Sequence, residues 1–316
     1  MKTLGDRAMV QVARRMAGQL YLDRDHDHRK TVFLAGSGRS GTTWVADIIN
    51  YDNDYRYIFE PFHRHKVPAC KSFRYRQYLR PQDRSPEYLD AATSIVTGRI
   101  RSLWTDKYNR RFRSERRLVK DVRANLFLKW LEANFPGMPI VLLLRHPCAV
   151  ASSRMKVDWS GGADLRQFLA QPALVEDHLA PVQAHLAAAG SDFERMIFFW
   201  CIENSIPLRQ FEPGQVHVVF YEHLCLSPER EIERLFAYLG RDFDRRALKA
   251  VSAPSSATRK DSAIVSGEDL ISSWRRHITD EQVARAVEIL QLFTMDGIYA
   301  GEPAPRVDLP DDALSL

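Results

Sequence analysis

Hydrophobic positions along the chain fall into two kinds of stretch. Thr31–Leu34, Tyr57–Phe59, Arg117–Val122 (RLVKDV), Ile140–Leu144 (IVLLL) and Val216–Phe220 are short and apolar without alternation, as strands buried on both faces of a parallel sheet are. Between them, apolar residues recur every three or four positions. This spacing predicts helices opening at Thr42, over Pro86–Tyr108, ending at Ala133, and over Cys148–Lys156, Leu165–Ala189, Phe193–Phe211, Pro228–Leu239 and Asp280–Phe293. A first amphipathic helix is expected over Lys2–Leu22, with Leu4, Met9, Val12, Met16 and Leu20 on one face. Strands alternating with helices predict an α/β fold of three layers, a central parallel sheet flanked by helices. Neither a repeat nor a shift in composition divides the chain, so residues 1–316 read as one domain, with 1–30 an N-terminal helix and linker and 301–316 a fraying tail. His63–Ser85, basic and aromatic with scattered prolines, reads either as a substrate-facing loop or as surface covering, and Val157–Asp164 and Ser252–Gly267 also lack periodicity.

The chemistry concentrates between Thr31 and His63. A strand running into a glycine-rich turn, Gly36–Gly41, at a helix N-terminus aims backbone N–H groups and the positive end of the helix dipole at one point, which suits a phosphate or sulfate. The turn GSGRSGTT nearly matches the P-loop pattern G-x-x-x-x-G-K-[ST]. It places Thr42 where the lysine belongs and supplies its cation earlier, as Arg39. A nucleoside triphosphatase also needs an acid after a second strand to help hold Mg²⁺. Here Ile140–Leu144 ends in Arg145. The site therefore reads as cationic and metal-free, and no metal is expected.

Composition changes this picture little. A 316-residue chain with 45% hydrophobic and 27% charged residues is ordinary for a soluble globular protein and buries a sizeable core. A net charge of +5 fits an anionic ligand. The cluster Arg110, Arg111, Arg113, Arg116, Arg117 lacks the interleaved aromatics of a single-strand binder, so it reads as a solvated basic face and no nucleic-acid partner is expected. Cys70, Cys148, Cys201 and Cys225 form no C-x-x-C pair, which points to a reducing cytoplasm. His26 and His28 read as linker residues, since nothing nearby completes a metal shell. No 18-residue apolar run predicts a transmembrane span, and no secretory leader is expected. Oligomeric state is not legible.

Four pieces taken in order resemble one family: SGTTWV at Ser40–Val45, VLLLRHPCAVASSR at Val141–Arg154, YEHL at Tyr221–Leu224, and RK at Arg259–Lys260 followed by SWRRHIT ending at Thr279. Together they resemble the sulfotransferases that use 3′-phosphoadenosine 5′-phosphosulfate (PAPS), over most of the chain from Thr31 to about Tyr299. The resemblance implies the P-loop-like sulfotransferase fold. It implies that Arg39, Ser40, Gly41, Thr42 and Thr43 hold the 5′-phosphosulfate and that Trp44 lies against the adenine. Arg145 and Ser153, eight positions apart as in the family, would bind the 3′-phosphate; Tyr221 would touch the adenine edge, and Arg259 and Lys260 would close over the 3′-phosphate.

Lys120 matches the family's lysine on the departing phosphosulfate, but where cytosolic members carry a histidine base two residues on, this chain has Val122. The base is therefore expected elsewhere. Glu60, in FEPFH, resembles the Glu-Pro pattern of the carbohydrate-directed members and is the candidate; His63 competes with it, and a simple ion pair between Glu60 and an arginine is the alternative. The expected activity is transfer of the sulfuryl group from PAPS to a hydroxyl of a carbohydrate or another small-molecule alcohol. A P-loop-type kinase and a non-catalytic nucleotide-binding module are the other readings the same turn permits.

Overall fold

The computed structural model describes residues 21–156, 164–251, 269–308 and 310–314. The apolar runs form β1 (Thr31–Gly36), β2 (Arg56–Phe59), β3 (Arg117–Asp121), β4 (Ile140–Leu144) and β5 (His217–Phe220). All five are parallel, in the order β2-β3-β1-β4-β5. The longer helices are α1 (Thr42–Ile49), α2 (Pro86–Val96), α3 (Leu128–Asn134), α4 (Pro147–Met155), α5 (Asp192–Gln210), α6 (Tyr221–Leu226), α7 (Pro228–Tyr238) and α8 (Asp280–Leu292).

Successive strand residues point to opposite faces, and each face builds its own core. Val32 and Leu34 join Val45 and Ile48 of α1 and Ile232 and Leu235 of α7. Phe33 and Ala35 join Leu128 and Leu131 of α3, Ile197 of α5 and Ile289 of α8. The expected three layers follow directly. The chain leaves β1 toward β2 on one side and β4 toward β5 on the other, so a crevice opens between the carboxyl ends of β1 and β4, where open α/β sheets bind ligands.

Several boundaries differ from the sequence expectation. The helix over Pro86–Tyr108 stops at Val96: Gly98 turns into the left-handed region with φ of 72°, and the Arg56 guanidinium takes the carbonyls of Gly98 and Ile100 that would continue the ladder. The segment beyond covers the outer edge of β2, where the Phe59 N–H donates to the Thr105 carbonyl at 2.8 Å. Leu165–Ala189 is a string of short turns broken at Pro172 and Pro181, neither of which can donate to a helix ladder. Tyr221–Leu226, unforeseen, is helical.

Leu22–Asp23 pairs as a two-residue strand with Arg113–Ser114; the rest of the expected first helix, residues 2–20, lies outside the described residues. Arg117, grouped with a solvated basic face, is instead buried on β3 against Asp23 and Thr31. His26 and His28 bond the carbonyls of Thr97 and Pro136.

Arg56 is fully buried and pairs at 2.9 Å with the equally buried Asp106. Removing one partner of such a pair leaves an uncompensated charge. Asp106→Ala should therefore lower unfolding free energy by about 3–5 kcal/mol in urea titration; a loss below about 1 kcal/mol would contradict the role given to this pair.

Candidate active site at the carboxyl ends of the strands

The anion loop is held by close backbone approaches and left-handed turns. A Cβ on Gly36 would meet the Leu143 carbonyl oxygen at 2.7 Å, and one on Gly41, which caps α1 with φ of 102°, would meet the Tyr221 ring at 2.9 Å. Arg39 is also left-handed, φ 79°, at a cost of about 1 kcal/mol for a residue with a side chain. Ser40 is buried, its Oγ donating to the Ser37 carbonyl at 2.6 Å; Thr42 is buried and Thr43 partly exposed on the first turn of α1.

The structure brings the expected anion-binding residues together. Arg39 Nε donates to Ser153 Oγ at 3.1 Å, and Arg145 reaches back to the Arg39 carbonyl at 3.3 Å. Arg145 Nε is buried without a hydrogen-bond partner among the described residues, and its guanidinium carbon sits 4.1 Å from the Tyr221 ring centroid. An unsatisfied buried donor beside a helix N-terminus fits a phosphate. Trp44 is packed as a core aromatic, 5.2 Å from the Tyr221 ring, its Nε1 donating to the Val251 carbonyl at 3.2 Å. Arg259 and Lys260 lie outside the described residues.

Across β3 lies the second half of the site. Parallel register pairs Phe59 with Lys120, so the next residue, Glu60, arrives beside the lysine. Glu60 Oε1 accepts from Lys120 Nζ at 2.8 Å and Oε2 from Arg123 at 2.8 Å, while its backbone takes a left-handed φ of 42°. Burial alone would raise this carboxyl; the two cations overcome it and bring the pKa down from 4.5 to about 2. His63 packs edge-on to Trp104 at 5.2 Å, and burial together with the Arg123 charge lowers its imidazole below the ordinary value of 6.5.

Sequence reasoning missed the residues that hold this geometry. Asp121, fully buried, accepts from the backbone N–H of Phe62 at 2.8 Å and of Arg123 at 2.7 Å, tying the exits of β2 and β3 together. Trp104 Nε1 donates to the Glu60 carbonyl at 3.0 Å. Glu222, buried, accepts from the His146 N–H and from the Tyr299 hydroxyl, both at 2.8 Å, fixing the turn that follows Arg145.

Under the anion loop, Glu203 of α5 accepts from Ser37 Oγ at 2.8 Å and Arg154 at 3.1 Å, and faces Arg76 at 2.8 Å; Arg154 also donates to the Gly38 carbonyl. The available signal was a charge inside the apolar run IFFWCIENSIPL. A carboxylate there demands buried partners. Among the described residues no His, Cys, Asp or Glu group could hold a metal, and no helix is long and apolar enough to cross a membrane.

The sulfotransferase family model matches residues 31–245, and the chain belongs to that family. The nodulation protein NoeE of Sinorhizobium fredii (strain NBRC 101917 / NGR234) is 28% identical over 223 residues. That match covers 66% of this chain and 50% of NoeE, so the chain spans about half the length of this curated relative. Among solved structures it is similar to the sulfotransferase domain from the curacin biosynthetic pathway (14% identity, TM-score 0.47, covering 83% of this chain and 96% of that one). It is also similar to mouse sulfotransferase SULT7A1 complexed with PAP (15% identity, TM-score 0.43, 90% of each chain).

The depressed Glu60 pKa makes a prediction about stability. Because the folded value lies below the unfolded one, the stabilisation is complete above about pH 4.5 and disappears as pH falls toward 2. The shift corresponds to roughly 3 kcal/mol. Urea titrations from about pH 5 downward should show the wild type losing that much more stability than Glu60→Gln; parallel losses would mean the carboxylate is not held by Lys120 and Arg123.

Proposed function

We propose that the protein transfers the sulfuryl group of PAPS, in line, to a hydroxyl of a carbohydrate or other alcohol-bearing acceptor, with Glu60 as general base. The observation that carries this reading is one carboxylate and one lysine, Glu60 and Lys120, in contact one strand away from the cradle of Arg39, Arg145 and Ser153. PAPS supplies a sulfuryl group already activated by its bond to phosphate. Residues 39–43 would hold the 5′-phosphosulfate and Arg145 and Ser153 the 3′-phosphate, with Tyr221 on the adenine side and the buried Trp44 supporting its ring from behind; Arg259 and Lys260 are assigned to the 3′-phosphate by sequence resemblance alone.

In the step itself the acceptor oxygen forms a new bond to sulfur as the sulfur–oxygen bond to the phosphate breaks. The hydroxyl proton passes to a Glu60 oxygen, and Lys120 with Arg39 stabilises the charge left on the phosphate. A carboxylate with a pKa near 2 is a weak base. Its basicity rises when Lys120 is shared with an anion, because the charge that depresses the carboxyl is then partly neutralised. His63, neutral above its lowered pKa, is the competing base, but among the described residues Lys120 bonds Glu60 and not His63. The contact with the lysine is what favours Glu60.

Glu60→Gln should reduce transfer of radiolabelled sulfate by about 10²-fold or more while calorimetric affinity for adenosine 3′,5′-bisphosphate (PAP) stays within about threefold. Wild-type turnover in that variant would pass the base role to His63. Arg145→Ala should instead weaken PAP binding by about tenfold or more, and unchanged affinity would remove Arg145 from the 3′-phosphate site.

A further inference from the structure

From Pro61 to Gln82, directly after Glu60, the chain carries six Lys or Arg residues and neither Asp nor Glu. Two of the six are used internally: Arg76 faces Glu203, and Arg80 pairs with Glu176 and Asp177. Arg64, Lys66, Lys71 and Arg74 are exposed. Val67, Cys70 and Phe73, buried at intervals of three, hold the backbone between them. The backbone N–H groups of Lys66 and Val67 both donate to the His63 carbonyl at 2.9 Å, closing the turn. Among the described residues no carboxylate lies within ion-pair distance of Arg64, Lys66 or Lys71. A ribbon this well anchored presents its cations outward as a ridge.

The ribbon starts at the exit of β2, beside Glu60, and its buried side runs inward, Phe62 meeting Phe33 of β1 and Arg76 meeting Glu203 below the glycine-rich loop. His63 packs on Trp104, in the segment that covers the outer edge of β2. Lys107 of that segment places its ammonium 3.9 Å from the ring centroids of both Phe59 and Trp104, and Lys120 sits 4.7 Å from Phe59. Positive charge therefore gathers around the exit of β2, from Lys107 beside Phe59 and Trp104 and from the exposed Arg64 and Lys66, four and six residues after Glu60. Such a field concentrates anions there and weakens over about a Debye length of salt.

We propose that the acceptor is itself an anion, a hydroxyl-bearing saccharide carrying carboxylate or sulfate groups, drawn to Glu60 by Arg64, Lys66 and Lys71. This rests on Glu60 marking the acceptor end of the site. Three exposed contacts of this kind together contribute about tenfold in affinity.

The test offers PAPS and the full-length chain paired acceptors: uronic-acid oligosaccharides with their carboxyl-reduced counterparts, and sulfated oligosaccharides with their desulfated ones. At least one acidic member should show a KM about tenfold below its neutral partner, the gap narrowing as salt rises. The triple variant Arg64→Gln, Lys66→Gln, Lys71→Gln should raise that KM about tenfold, with kcat, PAP affinity and Tm unchanged. The uronate and sulfate pairs distinguish which anion is read. Equal KM within every pair, transfer to neutral members alone, or no transfer to any acidic member while PAP binds would overturn the proposal. So would a triple variant that loses PAP affinity, since the ridge would then serve the donor. Absence of PAP binding by the wild type would strike the donor reading itself, and this proposal with it.

Discussion

The Glu203 carboxylate, buried in the middle of α5, is the charge on which the site's geometry depends. It gathers Ser37 from the anion loop, Arg154 from α4 and Arg76 from the segment after β2. Arg154 in turn bonds the Gly38 carbonyl, and its chain neighbour Ser153 receives Arg39. Two guanidiniums buried without Glu203 would be strongly unfavourable, so the three elements share one arrangement. The capping box of Ser191 and Glu194 that opens α5 fixes the helix carrying this carboxylate.

Parallel strands deliver the remaining groups to one edge. Because β3 lies between β2 and β1, Lys120 occupies the position between the Glu60 half and the anion loop. A lysine on either outer strand would reach only one of them. Asp121, directly after it, fixes the exits of β2 and β3 through two backbone N–H groups, so the pair is set by main chain as well as by charge.

The strands were legible in the sequence to within a residue or two, because burial on both faces leaves an unbroken apolar run; Ile140–Leu144 has the same limits in both. The glycine-rich turn before α1 was legible for a different reason. Its departure from the P-loop pattern falls on residues whose chemistry is distinctive, Arg39 and Arg145. The Glu60–Lys120 contact was only half legible, since it follows from a register that pairs Phe59 with Lys120 and no local pattern encodes that. Arg123, Arg76 and Glu203 were not legible as site residues, because each charge is satisfied by a partner distant in sequence. The helix end at Val96 was hidden by Ile100 and Trp104, which continue the apolar spacing although their segment covers a strand edge instead.

Arg39 and Glu60 share one further property: both hold left-handed backbone that side-chain-bearing residues adopt at a cost. Glycine, and to a lesser degree asparagine or aspartate, relieves that cost while removing the guanidinium or shortening the carboxylate. In a saturation library, abundance and activity would then rank substitutions at exposed Arg39 in opposite orders, whereas at Glu60 the ion pairs with Lys120 and Arg123 outweigh the backbone cost and both readouts favour the acid. A search for stabilising changes that scored abundance alone would select Arg39 for replacement, the side chain to which the proposed transfer assigns charge stabilisation.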